Sequence, residues 1–277
     1  MRPRRTFAKK LTIMANPEPV VSNFLYSCYT SRHHESEQCV PDHVLTHVIA
    51  GSMVFYTTDG RHELKPGQTL FIRKNLLARV LKYPAPDGEM KSFSVFLDQS
   101  FLRDHSAQNG TTASGPYQGP AFLEFPPHSL FKAYFDSLAP GYHLQTNKEL
   151  AVLKQQEALL LLLHQAPALK NELFDFSEPG KIDLEEFMNK HYRFNVDLRR
   201  FAYLTGRSLA TFKRDFEKIF HAPPSRWLQQ KRLQEAYFQI KEKKKKPSDV
   251  YLEVGFEDLS HFSFAFKKTY GVAPSLV

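Results

Sequence analysis

The sequence predicts an α+β chain in two parts: a small β-barrel with flanking helices, then an all-α segment built from two helix–turn–helix units. Three observations carry this expectation. The last hundred or so residues resemble themselves at an offset of 50 positions. Short apolar runs separated by turn residues fill positions 20–125. Charge is also shared unevenly, with 18 Lys/Arg against 17 Asp/Glu in residues 1–180 but 19 against 12 in residues 181–277. A length of 277 residues suits two domains at about 100–200 residues each.

Taken in order, residues 1–16 are basic and lack the continuous apolar core of a signal peptide, so they read as a flexible tail. Residues 17–170 form the expected front domain. Met53–Tyr56 reads as a strand, Asp59-Gly60 as a hairpin turn, and His62–Leu64 as the returning strand. Pro66-Gly67 turns the chain again into Thr69–Ile72, and Arg79–Tyr83 and Phe93–Leu97 follow. Strands at this spacing suggest a sandwich or barrel. Ser129–Leu138 and Glu149–His164 then read as helices. The second holds more apolar surface than one core contact needs, which fits packing on the barrel flank or a homodimer seam. Residues 171–180, with Ser177, Pro179 and Gly180, read as the linker to residues 181–277.

The repeat aligns Phe212 with Phe262, Phe216 with Phe266, Phe220 with Tyr270, and Pro224-Ser225 with Pro274-Ser275. Two copies of one supersecondary unit explain it most simply. In the first, Leu198, Phe201 and Ala202 mark one helix face, Gly206 ends that helix, and Ser208 caps the next. Leu209, Phe212, Phe216 and Ile219 or Phe220 face inward; Ala210, Thr211, Lys213, Arg214, Glu217 and Lys218 face out. The second copy turns at Gly255 and caps at Asp258. It buries Phe262, Phe266 and Tyr270 and presents Leu259, Ser260, His261, Ser263, Phe264, Lys267 and Lys268. Between the copies, Pro224 to about Lys241 reads as a helix roughly 27 Å long at ~1.5 Å per residue. One DNA turn separates successive major-groove faces by ~34 Å. A rigid helix of that length, with the width of the flanking units added, could place the two basic units in adjacent major grooves, which points to double-stranded DNA as the partner.

The segment from Ser248 to Ser275 resembles the signature of the AraC/XylS family of bacterial transcription regulators. The likeness lies in Gly255-Phe256, Asp258, Ser260-His261-Phe262, Phe266-Lys267 and Gly271 to Ser275, with Lys231-Arg232-Leu233 and Ala236 in the connecting helix. It covers roughly residues 181–275. The resemblance implies base contacts from Ala210, Lys213 and Arg214 in the first unit and from Leu259, Ser260 and Phe264 in the second. With their neighbours Ser208, Thr211, His261, Ser263 and Lys267, these are the candidate DNA-binding residues. Arg214 is the strongest, because a guanidinium can pair with guanine O6 and N7 together. Three positions depart from the family pattern: His221 replaces a Gly, Tyr251 a small residue, and Phe264 a frequent Arg. Leu259 and Phe264 suit thymine methyls instead. The run Lys243–Lys246 reads as a solvated turn with a secondary chance of gripping phosphate.

In the front domain, Asp42-His43, Gly51 and Leu64-x-Pro66-Gly67-x-x-Leu70-Phe71-Ile72 look like the cupin-type barrel that often precedes such units. A metal-holding cupin carries His-x-His and a nearby Glu. Here only His33-His34 with Glu37, and His43 with His47, come near, neither at that spacing. No metal, cofactor or catalytic residue is therefore expected. A ligand-responsive regulator with a small-molecule effector is the leading reading, and a cupin-type enzyme with a DNA-binding tail is the rival. No uncharged apolar run is long enough to span a membrane. Two cysteines, Cys28 and Cys39, leave no disulfide framework, which fits a cytoplasmic protein.

Overall fold

The computed structural model describes residues 23–31, 33–34, 39–86, 88–138 and 147–277. The basic tail expected at 1–16 lies outside them, as does Glu37, and the same holds for the side chains of His33 and His34.

The front part holds eleven strands among the described residues: β1 (Phe24–Tyr29), β2 (His33–His34), β3 (Cys39–Val40), β4 (His43–Ala50), β5 (Ser52–Tyr56), β6 (Arg61–Leu64), β7 (Thr69–Ile72), β8 (Leu76–Leu77), β9 (Arg79–Tyr83), β10 (Met90–Leu97) and β11 (Phe122–Phe125). They form a five-stranded sheet ordered β1-β10-β4-β7-β11, a four-stranded sheet ordered β2-β9-β5-β6, and the pair β3-β8. The strand pairings among the described residues are antiparallel. The expected strands at 53–56, 62–64, 69–72, 79–83 and 93–97 all occur, and the sheets make the barrel-like front part of the expected α+β fold.

Strand alternation gives the large sheet two apolar faces. Val44, Val48, Leu70 and Ile72 pack with Met53, Phe55 and Val80 of the four-stranded sheet. Leu45, Phe71, Phe93 and Val95, on the other face, pack against helices α1 (Gln99–Asn109), α2 (Ser129–Leu138) and α3 (Lys148–Gln165). The space between the sheets is thus occupied by side chains. Helix α1 was not anticipated from the sequence. Asp98 caps it by accepting from the Phe101 amide at 2.9 Å, and Gly110 ends it in the left-handed region. Across the start of the expected linker, Lys170–Leu173 forms the short helix α4. Leu173 and Phe174 sink into the helix-side core and Phe176 packs against it, so only the stretch beyond Phe176 runs free of it.

The back part is all helix: α5 (Leu184–His191), α6 (Leu198–Leu204), α7 (Leu209–Phe220), α8 (Pro224–Lys241), α9 (Pro247–Glu253) and α10 (Leu259–Tyr270). The bounds of α8 match those read from the sequence. Phe201, Phe212, Phe216 and Trp227 centre one core, and Leu233, Ile240, Val250, Phe262 and Phe266 centre the next. Cys39 and Leu77, from the β3-β8 pair, belong to the first of these. The front part therefore packs directly on the first helix–turn–helix unit. Lys190 adds an ion pair to Asp59 at 3.3 Å, and Tyr203 hydrogen-bonds with Glu178 and Asn75.

Candidate nucleic-acid interface

Each unit sets its second helix by the same local chemistry. Gly206 (φ 64°) and Gly255 (φ 97°) take the left-handed turn between helices, a region that costs other residues 1–2 kcal/mol or so. Ser208 Oγ then accepts from the Thr211 amide at 3.2 Å, and Asp258 Oδ1 accepts from the His261 amide at 2.7 Å. Each satisfies an amide the helix cannot pair internally. The two helices, α7 and α10, are both 12 residues long and lie 50 positions apart. Their buried rows are Phe212 with Phe216 and Phe262 with Phe266, all four at 0 % exposure.

The opposite faces are where the sequence placed the candidates. On α7, Ala210, Lys213, Arg214 and Glu217 form an exposed row at i, i+3, i+4, i+7. Thr211 is half-buried and its hydroxyl pairs with Ser208 Oγ at 3.0 Å, so these two side chains serve the cap first. Ile219 is exposed and Phe220 half-buried, which settles the alternative left open between them. On α10, Ser260, Phe264 and Lys267 are exposed, with Ser263 half-buried between them. Leu259 and His261 are exposed at the helix start, where the His261 ring lies against Phe256 with centroids 5.7 Å apart. Phe264 points outward and is 70 % exposed.

Arg214 has a side chain 66 % exposed, and its Nε lies 3.5 Å from Asp215 Oδ1. Asp215 Oδ2 also meets Arg207 Nε at 3.2 Å. Desolvation would raise the Asp215 pKa, but the Arg207 hydrogen bond and the charges of Arg214, Arg207 and Lys181 outweigh it and hold the carboxyl below its ordinary value. Arg214 can therefore leave Asp215 for another acceptor without stranding a charge, and the exposed pair it gives up is worth little. The Lys243–Lys246 run is partly engaged: Lys245 pairs with Glu253 at 2.6 Å and Lys243 lies over the Phe238 ring at 5.3 Å. Two residues outside the candidate set hold the turns in place. Arg207 donates to the Ile182 carbonyl at 3.1 Å, and Arg232 donates to carbonyls in both units. The Lys231-Arg232-Leu233 motif marks Arg232 in the sequence, and no motif marks Arg207.

The two front-domain histidines do not face the space between the sheets. His43 stacks on Phe71 at 5.6 Å, and His47 stacks on Phe135 of α2 at 4.7 Å. His43 Nδ1 accepts from the Lys74 amide at 3.1 Å, while His47 Nδ1 meets Thr69 Oγ1 at 2.9 Å. Burial, with the charges of Lys74 and Arg73 adding to it, pushes the His43 imidazole down to about 3. Burial also lowers His47. Each ring is thus stacked in the helix-side core beside its own polar neighbour. Among the described residues no cluster of three His, Cys, Asp or Glu side chains could hold a metal.

Residues 43–173 match the family described as the ExsA N-terminal regulatory domain, and residues 201–277 match a helix-turn-helix domain family. The HTH-type transcriptional regulator ExsA of Pseudomonas aeruginosa is 25% identical over 232 residues, covering 82% of this chain and 83% of that protein. The chain belongs to the AraC/XylS family of transcription regulators. The virulence regulon transcriptional activator VirF of Yersinia enterocolitica is 28% identical over 128 residues, 46% of this chain and 47% of its own length. The apo form of a ToxT variant from Vibrio cholerae aligns over 94% of this chain and 98% of its own, with a TM-score of 0.45 and 13% identity. This AraC/XylS regulator is thus a sequence-specific DNA-binding protein whose front part matches a regulatory domain. Its relatives are transcription regulators rather than enzymes. No described helix is long and apolar enough to cross a membrane.

Proposed function

We propose that α7 and α10 are the two recognition helices and that they enter successive major grooves on one face of a promoter. The observation that carries this is the pair of capped helices of equal length, each turning a solvent-exposed row away from its own phenylalanine core. On this reading Ala210, Lys213 and Arg214 meet bases in the first half-site, while Ser208 and Thr211 sit at the phosphate edge near the helix start. In the second, Leu259, Ser260, His261, Ser263, Phe264 and Lys267 make the contact. Phe264 stands 50 positions after Arg214, so the first half-site is read by charged donors and the second by apolar contact with thymine methyls. The 18-residue α8 spans about 27 Å, which with the width of the flanking units suits half-sites one helical turn apart.

The functional units are residues 17–170 for sensing, 171–180 for connection and 181–277 for DNA binding. A small-molecule effector acts on the front domain and is felt at the DNA through the packing of Cys39 and Leu77 in the first unit's core. Val152, Leu153 and Leu160 remain exposed along α3, Leu153 at 60% and Leu160 at 57%, and they form the seam of a homodimer. The protein acts in the cytoplasm and is not an enzyme.

Selecting duplexes bound by the full chain from random DNA, then measuring affinity from 50 to 300 mM salt, tests the assignment. Each neutralised phosphate contributes a slope of about −0.9 in log K against log salt. Enrichment of a two-part site with a steep salt response is expected. A flat response with no enriched sequence would overturn the placement of α7 and α10 on DNA.

A further inference from the structure

Arg232 lies near the middle of α8, on the side where the two units meet. Its guanidinium serves both at once. Nε donates to the Tyr192 carbonyl at 2.8 Å, Nη2 to the Phe194 carbonyl at 2.9 Å, and Nη1 to Asn195 Oδ1 at 3.4 Å. These acceptors belong to the loop between α5 and α6, in the first unit. Nη1 also donates to the Gly255 carbonyl at 3.0 Å, and Gly255 is the turn residue that aims α10. Burial pushes this guanidinium down to about 10, with the Glu257 charge pulling the other way. It stays charged at neutral pH, and its donors are spent on fixed carbonyls.

The joint is tight on both sides. A Cβ on Gly255 would lie 2.4 Å from the Arg193 carbonyl oxygen and 2.9 Å from Arg232 Nε, so the turn touches the first unit's backbone with no room for a side chain. Asn195 Nδ2 extends the same contact by donating to Glu257 Oε1 at 2.7 Å. Arg193 Nη2 pairs with Glu235 of α8 at 2.9 Å. The second unit is therefore fastened to the first at its turn as well as through α8.

We propose that Arg232 is a positioning residue that fixes the separation and angle between α7 and α10, and so makes this regulator selective for the spacing of its two half-sites. The proposal rests on the reading of α7 and α10 as recognition helices. Inserting one base pair between half-sites rotates one against the other by about 35°, given roughly 10–10.5 base pairs per turn. A rigid pair of units cannot follow that rotation. A loosened pair can, but it loses the high effective concentration that a fixed geometry gives the second contact.

The test uses the full chain, the variants Arg232→Gln and Arg232→Lys, and the double variant Asn195→Ala with Glu257→Gln, which cuts the joint from its exposed side. The DNA probes are the selected two-part site, the same site with one base pair inserted or deleted, and each half-site alone. Arg232→Gln is expected to lose about tenfold on the intact site while binding single half-sites within about twofold of the parent. Its preference for native over shifted spacing should shrink by a similar factor. The lysine variant keeps charge but cannot bridge four acceptors, and should resemble the glutamine variant. The double variant should move the same way by a smaller factor, and it carries the test alone if Arg232→Gln fails to fold by circular dichroism. Equal loss on every probe, or unchanged spacing preference in folded protein, would overturn the proposal and leave Arg232 a stability residue. No binding of any duplex by the parent would overturn the DNA placement itself.

Discussion

In the first helix–turn–helix copy, a Cβ on Gly206 would lie 2.4 Å from the carbonyl carbon of Gly180, where the chain arrives from the front domain. In the second copy, the matching Gly255 abuts Arg193 of the first. Each turn is also fastened by an arginine: Arg207 reaches Ile182 and Arg232 reaches the loop from Tyr192 to Asn195. One local design is thus seated on two different supports. The first copy shares its core with Cys39 and Leu77 of the front domain, while among the described residues the second core draws on α8, α9, α10 and their flanks. The apolar contact of the front domain through Cys39 and Leu77 thus falls on the first copy's core. The outward faces differ as well, since Arg214 and Phe264 occupy equivalent positions.

The largest effects should come from the cores. Phe216→Ala and Phe266→Ala each remove a fully buried ring, at a cost of about 3–5 kcal/mol. Trp227 is the one tryptophan, and it packs in the first core with its ring centroid 5.4 Å from that of Phe216. Its emission reports the first copy, whereas far-ultraviolet circular dichroism reports both. If the joint at Arg232 makes the copies one cooperative body, urea unfolding of Phe266→Ala shifts both signals together. A dichroism transition that precedes the Trp227 transition would show that the second copy melts alone.

A smaller effect separates the faces. Arg214→Ala should cost about 1–3 kcal/mol of discrimination at its base pair and reduce the salt slope. Phe264→Ala should leave the salt slope unchanged and, because the ring is exposed, shift stability by no more than ~0.5 kcal/mol. Its binding loss should match that of replacing the contacted thymine by deoxyuridine, roughly 0.8 kcal/mol for one methyl, and the two losses should not add. Additive losses would mean that Phe264 touches something other than the methyl.

How much of this was readable depends on the range of the interaction. The copies, the caps Ser208 and Asp258, and the bounds of α8 are local patterns of spacing and turn chemistry, and they are visible in the sequence. Helix α1 is not, because only Phe101 and Leu102 of its residues are buried and no apolar stripe forms; its cap Asp98 and stop Gly110 were the available signals. Among the described residues strand β1 is an edge strand paired to β10, about 65 positions on, and no local pattern encodes that. His43 and His47 lie four residues apart on β4 and so share one face by strand alternation. Which face holds the helices depends on α2 and α3, far along the chain. Arg232 carries a motif, but its acceptors are mostly backbone carbonyls, which leave no mark on residue identity.

The smallest difference lies at the helix ends. His221 (φ 52°) closes α7 and Gly271 (φ 78°) closes α10, both left-handed. Their amides donate to Glu217 and Lys267 carbonyls at 3.0 and 2.8 Å, the same capping bond in each copy. A left-handed conformation costs an L-residue roughly 1–2 kcal/mol, and glycine gives back about 0.4–1 of that through the greater freedom of its unfolded chain. His221→Gly should therefore raise stability by somewhat under 1 kcal/mol. Gly271→Ala should lower it by a similar amount, and a Cβ there meets no atom within 4 Å, so that cost is the backbone's alone. The two variants read the same term with opposite sign, and urea midpoints at constant m-value measure it. Should His221→Gly destabilise the protein while Gly271→Ala behaves as expected, the imidazole must itself hold the end of α7, and the departure from glycine at this position is a contact rather than a tolerated strain.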